Sequence, residues 1–120
     1  MQSQLWVEPV GGVIIARLRG LPTAELLSEC QRLVIELIAE TRERHVLYDA
    51  LEMIAPDASV AWSQRTLDRD LVVRPKRAIV VPNTKIAYLA RLAFADEFGD
   101  NRVFYSDMAQ AFEWLKSGDV

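Results

Sequence analysis

Cysteine and histidine are nearly absent from this chain. Cys30 and His45 are each alone of their type, so one chain can form neither an internal disulfide nor a thiolate metal cluster. A histidine metal site or a Cys-His nucleophile pair would need partners that the sequence does not supply. Runs of positive charge are also lacking. Fourteen Lys and Arg stand against 17 Asp and Glu, a net charge of −3 with the signs interspersed, which excludes the positive field that drives binding to phosphate backbones. No nucleic-acid partner is expected. No apolar run approaches the ~18 residues of a spanning helix. The opening MQSQLWVEPV has no basic start followed by an apolar run and a small-residue cleavage site. The expectation is a cytoplasmic protein with no transmembrane segment. A Gly-rich phosphate cradle, an Asp-x-Asp-x-Asp-Gly loop, a nucleophile elbow and a His-Glu-x-x-His pair are all missing. No catalytic residue, metal ligand or cofactor is therefore assigned, and an enzyme is not expected.

What remains is a globular composition, 51% hydrophobic and 26% charged over 120 residues, enough for one domain with one core. Leu5 to Pro9 and Val13 to Arg19 read as two strands, joined through Gly11 and Gly12, which supply the positive φ of a tight antiparallel hairpin. Thr23 is a candidate N-cap. After it Leu26, Leu27, Cys30, Leu33, Val34, Leu37 and Ile38 recur at helical spacing as far as Thr41. His45 to Ala50 is a short strand, and Asp57 to Leu71 a helix with Ala61, Gln64, Leu67 and Leu71 along its candidate apolar stripe. Arg77 to Val81 is almost uninterruptedly apolar, as in an interior strand covered on both faces. Asn83 or Thr84 caps a third helix that Gly99 closes. Arg102 to Tyr105 is a strand, and Ser106 or Asp107 caps a last helix reaching Lys116. A hairpin followed by alternating helices and strands predicts an α/β single domain over residues 1–120. Its mixed central sheet has about five strands, parallel after the hairpin, flanked by about four helices.

This order, with HVLYDALEMIAPDAS over residues 45–59, resembles the STAS domains, the family of anti-sigma-factor antagonists and of the cytoplasmic tails of sulfate transporters. RAIVVPNTKIAYLARLAF and VFYSDMAQAFEWL, over residues 77–94 and 103–115, look like the divergent SpoIIAA-like bacterial branch. In the antagonists the loop after this strand carries an Asp-Ser-Ser-Gly type of motif whose serine is phosphorylated by a partner kinase. Asp57 matches the acid and Ser59 the second serine, while Ala58 and Val60 replace the first serine and the glycine. The resemblance implies a SpoIIAA-like fold and a regulatory protein partner, such as an anti-sigma factor or a kinase.

The residues themselves leave alternatives open. Ser59 is either a phosphate acceptor at a helix start, where free N–H groups and the dipole favour an anion, or an ordinary first-turn residue behind a capping Asp57. Asp49 lies near a carboxyl end of the sheet, where ligands bind in open α/β folds. A receiver-type phosphoacceptor is excluded there, because Arg17–Gly20 and Tyr105–Asp107 occupy the places of the acidic pair and the lysine. Glu52 and Asp57 would complete an acid cluster with Asp49. The apolar stretch Leu51, Met53, Ile54, Ala55 either tucks under helices, lines an apolar-ligand pocket near Tyr88 and Leu92, or meets a partner. Trp62, Arg65 and Arg69, at i, i+3 and i+7, form either an interface anchor or an arginine lying across an indole. Trp114 is assigned to packing. Trp6, on the edge hairpin, packs locally or covers a second copy of the chain in a homodimer.

The two functional expectations are a non-enzymatic regulatory binding module using the 51–69 region, and a carrier or sensor of a small apolar or lipid-like ligand. Cys30, on the apolar face of its helix, is expected to be a buried, inert thiol. Cys30→Ser is predicted to destabilise the protein by roughly 1–3 kcal/mol in urea unfolding by placing a hydroxyl among apolar groups; an unchanged midpoint would mean an exposed position.

Overall fold

The computed structural model describes residues 4–69, 71, 74–94 and 100–117. Within them, strands β1 (Gln4–Val10) and β2 (Val13–Gly20) precede helix α1 (Ala24–Thr41), β3 (His45–Met53), α2 (Ala58–Arg69), β4 (Lys76–Val81), α3 (Thr84–Ala93), β5 (Asp100–Tyr105) and α4 (Met108–Lys116). The five strands stand side by side in chain order, β1 antiparallel to β2 and the rest parallel. The expected mixed sheet and four helices are present. A strand order that advances steadily, with right-handed crossovers, sends every connecting helix to the same face. The core follows suit. Ile14, Val46, Tyr48, Ile79 and Val81 meet Cys30, Val34 and Ile38 of α1 and Ile86 and Ala87 of α3 on one face. Val13, Leu47, Ala78, Val80 and Phe104 meet Ala111 and Leu115 of α4 on the other. β4 is thus covered on both sides, which is why its sequence is so apolar.

Local signals explain the boundaries. Gly11 and Gly12 have φ of 58° and 83° and form the two-residue hairpin loop that closes on the Val10–Val13 pair. Pro9 is the next residue of β1, the outermost strand. The Thr23 Oγ1 accepts from the Leu26 N–H at 3.1 Å, the Asn83 Oδ1 from Ile86 at 2.9 Å and the Asp107 Oδ1 from Gln110 at 2.9 Å. Of the paired candidates, Asn83 and Asp107 are therefore the caps. Gly99, expected to close α3, lies outside the described residues; α3 ends at Ala93, where the Phe94 N–H donates to the Ala90 carbonyl. No helix of the described residues is long and apolar enough to cross a membrane.

Two expectations are corrected. β3 does not end at Ala50. Leu51–Met53 continue the strand, beyond a register shift that sets Arg17 opposite Asp49 but Arg19 opposite Glu52. This bulge places Asp49 and Glu52 on the same side of the sheet despite their odd spacing, each bonded to its cross-strand arginine, at 2.9 Å and 2.7 Å. The inner stripe of α2 is Ala61, Gln64 and Asp68, and Leu67 is exposed. The reason is electrostatic. Asp68 is fully buried against Arg77, the second residue of β4, with Arg77 Nη1 2.5 Å from Asp68 Oδ1. Arg77 shares its sheet face with Ile79 and Val81 by strand alternation, so the charge at the start of the run is buried on the same face as its hydrophobes.

Asp68→Asn should lower stability by about 3–5 kcal/mol in urea unfolding, because it leaves the buried guanidinium without its carboxylate. The double variant Asp68→Leu/Arg77→Met should recover most of that loss. A small effect of the single substitution would show that the pair is hydrated.

Candidate functional site

α2 packs mainly on α1 and α3 rather than on strands, and Ala61 meets Leu89 and Ala93 of α3. Its C-terminal half is fastened to the sheet through Asp68. Beneath its N-terminal half lies a partly open cavity of about 70 Å³. The floor is Leu18, Tyr48, Ala50 and Ile79, and the walls include Leu27, Cys30 and Gln31 of α1, Met53 and Pro56, Gln64 of α2, and Ile86, Leu89 and Phe94 of α3. At its inner end the Tyr48 and Phe94 rings lie 4.9 Å apart, and the Arg77 guanidinium covers Phe94 at 4.7 Å from the ring centroid. That contact with a ring face offsets part of the cost of burying the cation. Burial pushes the Cys30 thiol up to about 12 and raises the Tyr48 hydroxyl well above its ordinary value, the thiol of Cys30 and the carboxylate of Asp68 adding to the rise and Arg77 opposing it. Both stay protonated at neutral pH, so the cavity lining carries no charge of its own.

Above α2 the picture reverses. Trp62 is 54% exposed, Ile54 42% and, on neighbouring α3, Tyr88 63%. The Arg65 guanidinium lies 5.7 Å from the Trp62 ring centroid and donates to the Leu92 carbonyl at 3.2 Å, so the arginine lies across an indole that is itself exposed. Arg69 is exposed further along the same helix. Ser59 is exposed in the first turn, with its carbonyl accepting from Ser63 Oγ. At this helix start the Val60 N–H bonds the main-chain carbonyl of Asp57 at 3.0 Å, so the capping contact comes from the backbone of Asp57 and not from its carboxylate.

The residues singled out from sequence thus fall into three groups. Ile54, Ser59, Trp62, Arg65, Arg69 and Tyr88 are at or near the outer surface of α2 and α3, and Asp57 is exposed at its start. Met53 lines the cavity, which approaches α3 through Ile86, Leu89 and Phe94 rather than through Tyr88 or Leu92. Asp49 joins neither group. Its side chain is on the α4 side of the sheet, only 7% of the residue is exposed, and it accepts from Arg17 Nε and from the Leu51 N–H at 3.1 Å, which pins the bulge. Glu52 is paired to Arg19 on that same side, so Asp49, Glu52 and Asp57 form no cluster. Among the described residues no three His, Cys, Asp or Glu stand together as a metal site. Gln31, Tyr48, Gln64 and Arg77 were missed as cavity or near-cavity residues. The i, i+3 and i+7 spacing of Ala61, Gln64 and Asp68 was a legible signal for a polar inner face.

No protein-family model and no curated protein matches the chain in sequence. Solved structures do match. An anti-sigma factor antagonist from Mycobacterium paratuberculosis superposes with a TM-score of 0.64 at 11% identity, over 95% of this chain and 94% of that one. A protein of the DUF3478 family with a SpoIIAA-like fold, from Shewanella loihica, gives 0.63 at 19% identity over 94% and 93%.

Cys30 and Tyr48 both bind their protons more tightly folded than unfolded, so their contribution to stability is full at neutral pH and falls as pH rises above the ordinary thiol value of 9.0. Stability should decline by roughly 1.4 kcal/mol per pH unit from the thiol alone. Cys30→Ala should flatten that first alkaline slope in urea unfolding between pH 8 and pH 10.5, values on either side of the thiol's 9.0; an identical slope would mean a hydrated thiol. Strand order, helix placement and superposition over nearly the whole length together give the chain a SpoIIAA-like fold.

Proposed function

We propose that the chain is a regulatory binding module that acts as anti-sigma-factor antagonists do, through contact with a protein partner such as an anti-sigma factor or its kinase. The observation that carries this reading is the exposure of two large aromatic side chains, Trp62 and Tyr88, on adjoining helices beside an exposed Ser59. Aromatic and arginine side chains dominate the energy of protein interfaces, and Trp62 is held in place by Arg65, so little freedom is lost on docking. A phosphate on Ser59 would add about −2 charge to the start of α2, next to that aromatic surface. It would meet the positive end of the helix while opposing Asp57 two residues away, and so alter the charge that a partner meets. No chemistry beyond binding is needed for such a role.

A second reading rests on the cavity. Its wall is overwhelmingly apolar, which supports a carrier or sensor of a small apolar molecule.

Affinity capture from the source cells, with the parent and the Trp62→Ala variant compared quantitatively, tests the first reading. Trp62→Ala is expected to weaken retention of a regulatory partner on the order of tenfold or more, with a melting temperature close to the parent's. Equal retention by both proteins would overturn it. Native and then denaturing mass analysis of the captured chain separates the rest: a phosphate mapped to Ser59 survives denaturation, whereas an apolar ligand is lost.

A further inference from the structure

Two amides in the cavity wall are incompletely satisfied. Gln64, from α2, is only 7% exposed, and its Oε1 has no hydrogen-bond donor. Gln31, from α1, is partly buried and presents an Nε2 with no acceptor. Both line the same cavity from different helices. Leaving a buried amide group unpaired costs about 1–3 kcal/mol, and native proteins keep few of them. An occupant that satisfies both must donate to Gln64 and accept from Gln31. A hydroxyl does this, whereas an ammonium cannot accept and a carboxylate cannot donate. The demand for a group that can do both holds for the amides as they stand and equally with oxygen and nitrogen exchanged in both of them.

The charge of the occupant is also constrained. The lining contains no Lys, Arg, Asp or Glu, and the Arg77 guanidinium, which covers Phe94 and is not itself in the lining, already has its counter-charge in Asp68 through Nη1. An ion entering there would lose its hydration without a counter-charge. Size is limited too, because about 70 Å³ is far below the roughly 300–1,000 Å³ of pockets for drug-sized ligands. A short chain, or a single ring standing partly in the open side of the cavity, is the scale that fits.

We propose that the cavity between α1, α2, α3 and the sheet binds a small, uncharged, largely apolar molecule carrying one hydroxyl group, which Gln64 and Gln31 hold. This deepens the second reading above and depends on it. Phenol and toluene test it as a near-isosteric pair that differs by the hydroxyl. Binding is read from the methyl signals of Met53, Ile79 and Ile86 in a carbon-13 NMR titration. Both probes are expected to shift these three signals, and Gln64→Leu is expected to reduce the ratio of phenol to toluene affinity by about tenfold. That variant replaces an unpaired acceptor with an apolar group of similar size, so its melting temperature should not fall. Gln31→Leu, on the opposite wall, should change the ratio in the same direction and provides an independent check. If both probes bind but neither substitution changes the ratio, hydroxyl recognition is wrong and the apolar cavity stands. If neither probe shifts these methyl signals at millimolar concentration, the hydroxyl inference and the small-ligand reading both fall.

Discussion

The contact on which the arrangement of this molecule most depends is the ion pair between Asp68 and Arg77, both almost wholly removed from solvent. α2 finds most of its neighbours among helices, and its inner face offers only one small apolar residue, Ala61, in its first two turns. Hydrophobic burial alone would leave its position over the sheet loosely specified. The ion pair fixes one end to β4. Since burying two charges costs several kcal/mol each before their attraction is counted, its contribution is best understood as placement rather than as net stabilisation. The Phe94 ring beside the guanidinium is consistent with a site built to keep that charge indoors.

From this tether the two faces of α2 acquire their separate characters. Gln64 and Ala61 look inward to the cavity, and Trp62 and Ser59 outward. Successive residues of one helix therefore belong to different environments about a helix diameter apart. The cavity and the exposed aromatic surface thus share one helix.

Much of the architecture was legible in the sequence because it is written locally. The Gly11–Gly12 turn, the Thr23, Asn83 and Asp107 caps and the helical spacing of Cys30, Val34 and Ile38 each act within a few residues, and each stands where its chemistry implied. What escaped detection depends on residues far apart in the chain. Leu51–Met53 became strand because Arg19 and Gly20 pair with Glu52 and Met53 across a bulge. Leu67, expected on the inner stripe, faces outward and Asp68 faces inward because Arg77, remote in sequence, selects the carboxylate. The exposed candidates were found through residue type, as Trp62 and Ser59 show. The cavity was only half anticipated: Met53 pointed to it, but its α3 wall was expected near Tyr88 and Leu92, whereas Ile86, Leu89, Ala90, Ala93 and Phe94, the apolar stripe legible at helical spacing, line it.

Pro9 has an effect beyond its own strand. The Val10–Val13 pair closes the hairpin with mutual hydrogen bonds, so the next pair, Pro9 with Ile14, directs its main-chain groups away from the partner strand. On β1 that direction is the open edge of the sheet. A strand from another molecule arriving there finds no N–H at Pro9, which breaks the regular ladder that edge-to-edge aggregation requires. The sheet is thereby discouraged from growing past β1 without any loss of internal hydrogen bonding.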